Sequence, residues 1–264
     1  MRFIAVPQNT QPQLQLPPAL GQLLSAVAEW LDCHRDEIVA FAKWFEFHEP
    51  EIKSFAIWAA VQSACKKTRL YAPIAPVWQD IAEAEQIGKS TSELAALILS
   101  AYAPGGAGHG VLLGEIRSAA LLQSRTSQVG EVLDSWVEGR NYVAICGALP
   151  LAEGLLAEAH GKWQSDMGQY RKAINRRLDE SGSLPPDEEA DLILNSSALE
   201  MVLAAPETIW KSGHTRAGAS SPVLNRHKAL HGTSSGWDSA ENATYSTLLL
   251  SAAARIAGPL LGRR

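Results

Sequence analysis

The residues best suited to chemistry cluster in one short segment, Asn225–Gly232, with the sequence NRHKALHG. It holds one arginine, Arg226, and two histidines, His227 and His231. A guanidinium is always charged and offers a planar set of donors to phosphate oxygens. An imidazole titrates near neutral pH and can accept or donate a proton. Arg226 and His231 together predict a site that cleaves RNA without a metal, in which His231 moves the proton and Arg226 neutralises charge on the phosphate.

The two histidines also allow a metal-binding interpretation, because positions four apart share one face of a helix. However, Lys228 replaces the glutamate of the HExxH pattern, and no carboxylate or further histidine stands nearby in the sequence as a third ligand. The positive charge of Lys228 also disfavours a cation. We therefore expect no metal and no other cofactor.

The spacing between Arg226 and His231 imposes a geometric condition. Residues five apart differ by about 140° around a straight helix, so their side chains lie on different faces. Such a spacing also arises about once by chance in a chain of this composition. The pair can form a site only if the helix is distorted near Gly232 or a second subunit completes the site.

The surroundings of this pair resemble the signature of the HEPN superfamily. That signature is an arginine, four to six residues and a histidine, often with Asn, Asp or His directly after the arginine, as His227 is here. A short loop and a helix with Glu241-Asn242 follow it. An earlier stretch, Ala148–Leu156, resembles the Pro/Glu-containing helix that precedes the signature in some bacterial and phage members. The resemblance covers roughly residues 141–261.

The resemblance implies an up-and-down helical bundle that forms a homodimer and brings two Arg/His pairs into one cleft. It also implies metal-independent endoribonuclease activity, as in toxins and anti-phage effectors. Arg226 would bind phosphate and His231 would act as acid or base, with Asn225 and His227 as auxiliary polar groups. Glu153 could orient Arg226.

The elements that must position these residues are predicted to be helices, since no strand-like alternation exceeds three or four residues. Pro and Gly positions and apolar spacing place helices at about 51–67, 75–103 with an interruption near 87–90, 109–137, 141–163 and 189–204, followed by a last helix capped by Asp238 or Ser239. The first of these is expected to turn Ile52, Phe55, Ala56 and Ala59 inward. The fold class is therefore all-α, a helical bundle with an extended arm at 1–20, a helical region at 21–137 and a HEPN-like domain at 141–264.

Two segments have more specific predictions. The helix at 141–163 is expected to pack through a narrow apolar stripe and to kink at Pro150, whose ring removes a hydrogen bond. The stripe comprises Ile145, Ala148, Leu149, Ala152, Leu155, Leu156 and Ala159. The Gly-rich stretch Ala101–Glu115 lacks the Lys-Ser/Thr ending of a phosphate-binding loop and a preceding β-rich strand, so it is predicted to be an ordinary loop between helices.

Several further residues are candidates for weak RNA contacts, namely Arg171, Lys172, Arg176, Arg177, Lys228 and Trp237. Lysine and arginine supply phosphate affinity that is independent of sequence. Trp237 follows the signature in a loop and is expected to be an exposed ring that could stack on bases. The alternative for the basic run is a solvated face that pairs with the acidic loop after it.

Composition places the chain among ordered proteins of a reducing compartment. Apolar residues make up 46%, the net charge is −5, and the three cysteines lack metal-ligand spacing. The start of the chain lacks the pattern of a signal peptide, and Glu153 and Arg255 interrupt the two longest apolar runs. We therefore expect a cytoplasmic protein without a membrane contact.

The sequence is compatible with three functions. The first is a HEPN ribonuclease in which residues 1–135 sense a trigger or bind an antitoxin or sensor partner. The second is a non-catalytic HEPN-type module that binds RNA, nucleotide or a partner protein. The third is a scaffold whose helical halves only associate.

Overall fold

The computed structural model describes residues 48–161, 196–208 and 236–257, together with the single positions 39, 43, 169, 172, 173, 175 and 176. Within these residues lie eight α-helices and one 3₁₀ helix, and no strand. The helices are α1 (Glu49–Thr68), α2 (Trp78–Gln86), α3 (Thr91–Tyr102), α4 (His109–Ser118), the 3₁₀ helix Ala120–Arg125, α5 (Thr126–Val137), α6 (Asn141–His160), α7 (Ser196–Thr208) and α8 (Ala240–Ile256). The prediction of an all-α fold is confirmed for the described part of the chain.

The chain divides into two compact units, Met1–Ser54 and Phe55–Arg264. Helix α1 begins in the first unit, where Lys53 Nζ lies 2.6 Å from Glu49 Oε1. Helices α2 to α8 all belong to the second unit. The predicted division into an arm, an amino-terminal region and a HEPN-like domain stays a prediction.

Helix α8 forms the centre of the second unit and is buried on nearly all sides. It packs mainly against α6 and α7, and also against α3, α4 and α5. Two of its buried hydroxyl groups bond to its own backbone, since Ser246 Oγ donates to Asn242 O at 2.8 Å and Thr247 Oγ1 donates to Ala243 O at 2.9 Å. Because these polar groups are satisfied within the helix, small hydroxyl side chains can face neighbouring helices at little cost.

Helix α6 lies beside α8 and is the element whose packing was best predicted. All seven residues of the predicted apolar stripe are buried. The helix continues from Asn141 to His160 through Pro150. On its other side α6 packs against α5, where Gly147 allows close approach: a Cβ at this position would overlap Val132 Cγ2.

The inward face predicted for α1 is wrong. Ile52 is half-buried, but Phe55, Ala56 and Ala59 are exposed. The surface of Phe55 is 65% open to solvent, and its ring lies 5.3 Å from that of Trp58. The buried residues are instead Val61, Ala64 and Cys65. Both sets follow helical spacing, so the periodicity alone could not decide between the two faces.

The connections around α3 are as predicted. Helix α2 ends at Gln86 and α3 begins after Ser90, whose hydroxyl forms a reciprocal capping box with Glu93. The Gly-rich stretch includes the ordinary loop that joins α3 to α4. A Cβ at Gly106 would overlap Ala101 O, and one at Gly108 would lie 2.6 Å from the Tyr102 ring. These two glycines let the loop fold back onto α3.

One described helix, α6, is long and apolar enough to cross a membrane on length and composition alone. Its mean hydropathy reaches 1.4 over 18 residues, and half of that stretch is buried inside the protein. Burial of this kind is typical of a core helix, so α6 gives no clear indication of a membrane span.

The contact between α5 and α6 generates a first prediction. Gly147→Ala should lower the free energy of unfolding by about 1–3 kcal/mol, because the new methyl group would displace the stiff Val132 side chain. The measurement is urea unfolding followed by circular dichroism.

Gly130→Ala in α5 is the matched control. Nothing lies within 4 Å of a Cβ at that position, so replacing this helical glycine should raise stability by about 0.5–1 kcal/mol. Equal effects of the two substitutions would contradict the close approach at Gly147.

Candidate functional site

The structure describes only part of the predicted site. The residues of the signature segment, Asn225, Arg226, His227, Lys228 and His231, lie outside the described residues, as do Arg171 and Arg177. Four predicted residues are described, namely Glu153, Lys172, Arg176 and Trp237. The predicted catalytic pair therefore remains a prediction, and the described residues define the elements on either side of it.

Glu153 lies deep in the second unit, with only 4% of its surface exposed. The sequence placed it just off the apolar stripe of α6, whereas the structure buries it beside that stripe, between Ala152 and Leu156. A carboxyl group at such a position needs hydrogen-bond or charged partners, because transfer of an unpaired carboxylate from water costs several kcal/mol or more. Glu153 does take part in an interaction within the fold. Glu153 is therefore a buried polar group that interacts with another part of the protein.

Pro150 stands one turn before Glu153 in α6. Because its ring nitrogen carries no hydrogen, Pro150 cannot donate the helical hydrogen bond that would otherwise reach the Cys146 carbonyl. Helix α6 thus carries an irregular backbone position and a buried carboxyl group within one turn. Regular packing needs neither of these features, and together they set this part of α6 apart from the rest of the core.

The segment that follows the signature in the chain is anchored firmly at the start of α8. Ser239 caps the helix, since its Oγ accepts from Asn242 N at 3.1 Å. Asn242 Nδ2 donates to Trp237 O at 2.8 Å, which ties the preceding loop to the helix. The cap was predicted as Asp238 or Ser239, and Ser239 is confirmed. The bond that Asn242 makes to the loop depends on the tertiary arrangement and was not predicted from sequence.

The prediction that Trp237 is an exposed aromatic is wrong. Its surface is 4% exposed, and its ring lies 5.3 Å from that of Tyr142 at the start of α6. With so little open surface, the indole is not placed to stack on an RNA base in this conformation. It instead fixes the loop before α8 against the amino-terminal end of α6.

The two described residues of the basic run have the exposure that a phosphate contact needs. Lys172 and Arg176 both lie on helical backbone and are open to solvent. A solvated basic face would have the same exposure, so both interpretations of the run remain.

A groove of about 610 Å³ between α5 and α6 was not predicted from the sequence. Arg125, Tyr142, Cys146, Pro150 and Gly154 are among its lining residues. Arg125 Nη2 lies 2.7 Å from Glu158 Oε2, and the guanidinium passes so close to Gly154 that a Cβ there would sit 3.4 Å from Nη1. Burial raises the pKa of the Cys146 thiol, so it is poorly suited to act as a nucleophile at neutral pH.

Comparison with known proteins finds no relative of this chain. The chain matches no protein family, no curated protein and no solved structure.

The burial of Glu153 generates a second prediction. Glu153→Ala should lower the free energy of unfolding by roughly 2–4 kcal/mol, because the substitution opens a cavity and leaves the partner of a buried carboxyl group unsatisfied. Denaturant unfolding at neutral pH measures this loss.

Glu158→Ala on the same helix is the control. Its carboxylate pairs with Arg125, but its side chain is 51% exposed, so the loss should stay below about 1 kcal/mol. If Glu153→Ala were as mild as this control, the carboxyl group would not be a fixed part of the core.

Proposed function

We propose that this chain is a metal-independent endoribonuclease of HEPN type, which cleaves RNA with Arg226 and His231 in a cleft shared by two subunits. The chemistry comes from the Asn225–Gly232 segment and its resemblance to the HEPN signature. The observation that carries the proposal is the burial of Glu153 in α6. This Pro/Glu-containing helix packs against α8, the helix that follows the signature in the chain.

In the proposed reaction the 2′-hydroxyl of a nucleotide attacks the adjacent phosphorus. His231 takes the proton from this hydroxyl or returns one to the departing 5′-oxygen, and the products are a 2′,3′-cyclic phosphate and a 5′-hydroxyl end. Arg226 stabilises the negative charge that develops on the phosphate oxygens. Asn225 and His227 supply auxiliary polar contacts in the cleft.

Glu153 would act as a positioning residue in this scheme. A carboxylate accepts two parallel hydrogen bonds from a guanidinium, and that arrangement fixes the plane of the arginine. Held in this way, Arg226 would meet the phosphate without the entropy loss of a mobile side chain. The exposed Lys172 and Arg176 would add affinity for the RNA backbone and would not select a sequence.

The proposed biological role is that of a cytoplasmic toxin or anti-phage effector. Residues 1–135 would then respond to a trigger or hold an antitoxin or sensor partner. The alternative is a non-catalytic HEPN-type module that binds RNA, nucleotide or a partner protein through the same surface. Cleavage separates the two functions, because both of them allow binding.

A third prediction tests the activity directly. Purified protein incubated with labelled RNA in EDTA should produce fragments with 2′,3′-cyclic phosphate ends. Arg226→Ala and His231→Ala should each slow this cleavage by about 10²-fold or more, the scale expected for loss of a charge-stabilising group or of a general acid or base. The readout is the initial rate on denaturing gels, with the ends identified by mass spectrometry.

Arg216→Ala and His214→Ala are matched controls, since they remove the same residue types earlier in the same segment of the chain. Both controls should retain the wild-type rate. RNA left intact by folded wild type across several substrates, or cleavage unaffected at Arg226 and His231, would overturn the catalytic proposal. Binding without cleavage would favour the alternative module.

The shared cleft has its own test. Arg226→Ala and His231→Ala proteins, mixed under conditions that exchange subunits, should regain part of the activity that each lacks alone. Exchanged heterodimers that stay inactive would argue against a cleft built from two subunits and in favour of a distorted helix near Gly232.

A further inference from the structure

A cavity of about 300 Å³ opens among α1, α4, α7, α8 and the segment that joins α1 to α2. Its lining includes Gln62, Tyr71, Trp78, Val111, Glu115 and Arg255. This volume is at the lower end of the range of about 300–1,000 Å³ that is usual for small-molecule sites. Its lining combines polar groups from distant parts of the chain with apolar side chains.

Glu115 is the polar centre of the cavity, and its charge is compensated. Tyr71 Oη donates to Oε1 at 2.7 Å and Ser251 Oγ donates to Oε2 at 2.8 Å. Arg255 Nε lies 3.6 Å from Oε1. Burial and the neighbouring Glu115 carboxylate raise the pKa of Tyr71, so its hydroxyl stays protonated and remains a donor. The carboxylate is thus engaged on both oxygens and is not arranged to bind a cation.

Gln62 supplies a neutral hydrogen-bond donor in the cavity lining. Its Oε1 accepts from Ser196 Oγ at 2.8 Å and from Ser197 N at 3.0 Å, so the amide oxygen is held by the start of α7. These two bonds fix which end of the amide is the acceptor. The Nε2 end has no acceptor among the described residues. A half-buried amide nitrogen in this position can donate to a bound molecule.

The indole of Trp78 is the largest apolar group in the lining, and it is held in place. Trp78 Nε1 donates to Ala72 O at 3.3 Å, which fixes the plane of the indole ring. Ile74 and Val111 stand near the opening, and 68% of the Ile74 surface is exposed. A fixed indole flanked by aliphatic side chains favours a flat apolar body.

We propose that this cavity binds a small molecule in which a carbonyl or carboxylate oxygen is attached to a flat apolar body. The oxygen accepts a hydrogen bond from Gln62 Nε2, and the body lies against Trp78. The compensated Glu115 neither attracts an ammonium group nor strongly repels an anion. Neutral amides and carboxylates both carry such an acceptor oxygen. The titration below distinguishes these two classes of ligand. This proposal does not depend on the ribonuclease activity.

The test titrates ¹⁵N-labelled full-length protein with benzamide and, separately, with benzoate. Each probe should shift the resonances of the Trp78 indole N–H and the Gln62 side-chain amide, with a Kd on the order of 1 mM, as expected for about nine heavy atoms. Tighter binding of benzamide assigns the site to neutral carbonyl compounds, and tighter binding of benzoate assigns it to carboxylates.

Two variants locate the binding. Ile74→Trp should obstruct the opening and weaken both probes at least fivefold, while Ile87→Trp, at a position of similar exposure outside the cavity lining, should leave binding unchanged. Gln62→Glu keeps the oxygen that α7 requires and removes the donor, so it should abolish the shift at Trp78 without unfolding the protein.

Unshifted Trp78 and Gln62 resonances at about 10 mM of either probe, well above the expected Kd, would overturn the proposal. Binding that persists unchanged in Ile74→Trp and Gln62→Glu would do the same. Because the readout is binding, it stays informative whether or not the protein cleaves RNA.

Discussion

The near-complete burial of α8 is the constraint on which the rest of the second unit depends. A helix without a solvent face must find partners around its whole circumference, and α6, α7, α5, α4 and α3 supply them. Small and hydroxyl side chains make this enclosure feasible, because alanines bring helices close and the hydroxyl groups of Ser246 and Thr247 bond to the backbone of α8 itself. Trp136 Nε1 adds a hydrogen bond to Thr244 Oγ1 at 3.3 Å, which fixes the α5 side of the contact.

The position of α6 follows from this enclosure, and so does the burial of Glu153. One side of α6 packs against α8, and the other packs against α5 through Gly147. The side of α6 that carries Glu153 faces the core, so the carboxyl group lies inside, where it takes part in an interaction. Natural cores accept such a group when it organises other polar groups, and the proposed role in orienting Arg226 is of that kind.

Local signals were sufficient for much of the fold. Apolar periodicity predicted α6 and its seven buried stripe residues, and Ser90, Pro104 and Ser239 lie where the predicted helix ends are found. The inward face of α1 could not be predicted in this way, because two sets of apolar residues both follow helical spacing and only the neighbouring helices select one. The prediction that Trp237 is exposed was wrong for a related reason. A loop residue is usually exposed, but the Asn242 bond and the Tyr142 ring hold this one inside. The Gln62 and Glu115 contacts join residues too far apart in sequence for any local pattern to reveal.

Those long-range contacts also govern when the fold can be completed during synthesis. The bond from Ser251 to Glu115 spans 136 residues, the bond from Ser197 to Gln62 spans 135, and the bond from Trp136 to Thr244 spans 108. Their closure carries the entropic cost of long loops, and each waits for α7 or α8 to leave the ribosome. Until then the nascent chain exposes the faces of α4, α5 and α6 that α8 later covers, and such exposed surfaces favour chaperone binding. A chain that ends before α8 lacks the helix that completes the core of the second unit, so we expect that it would not fold.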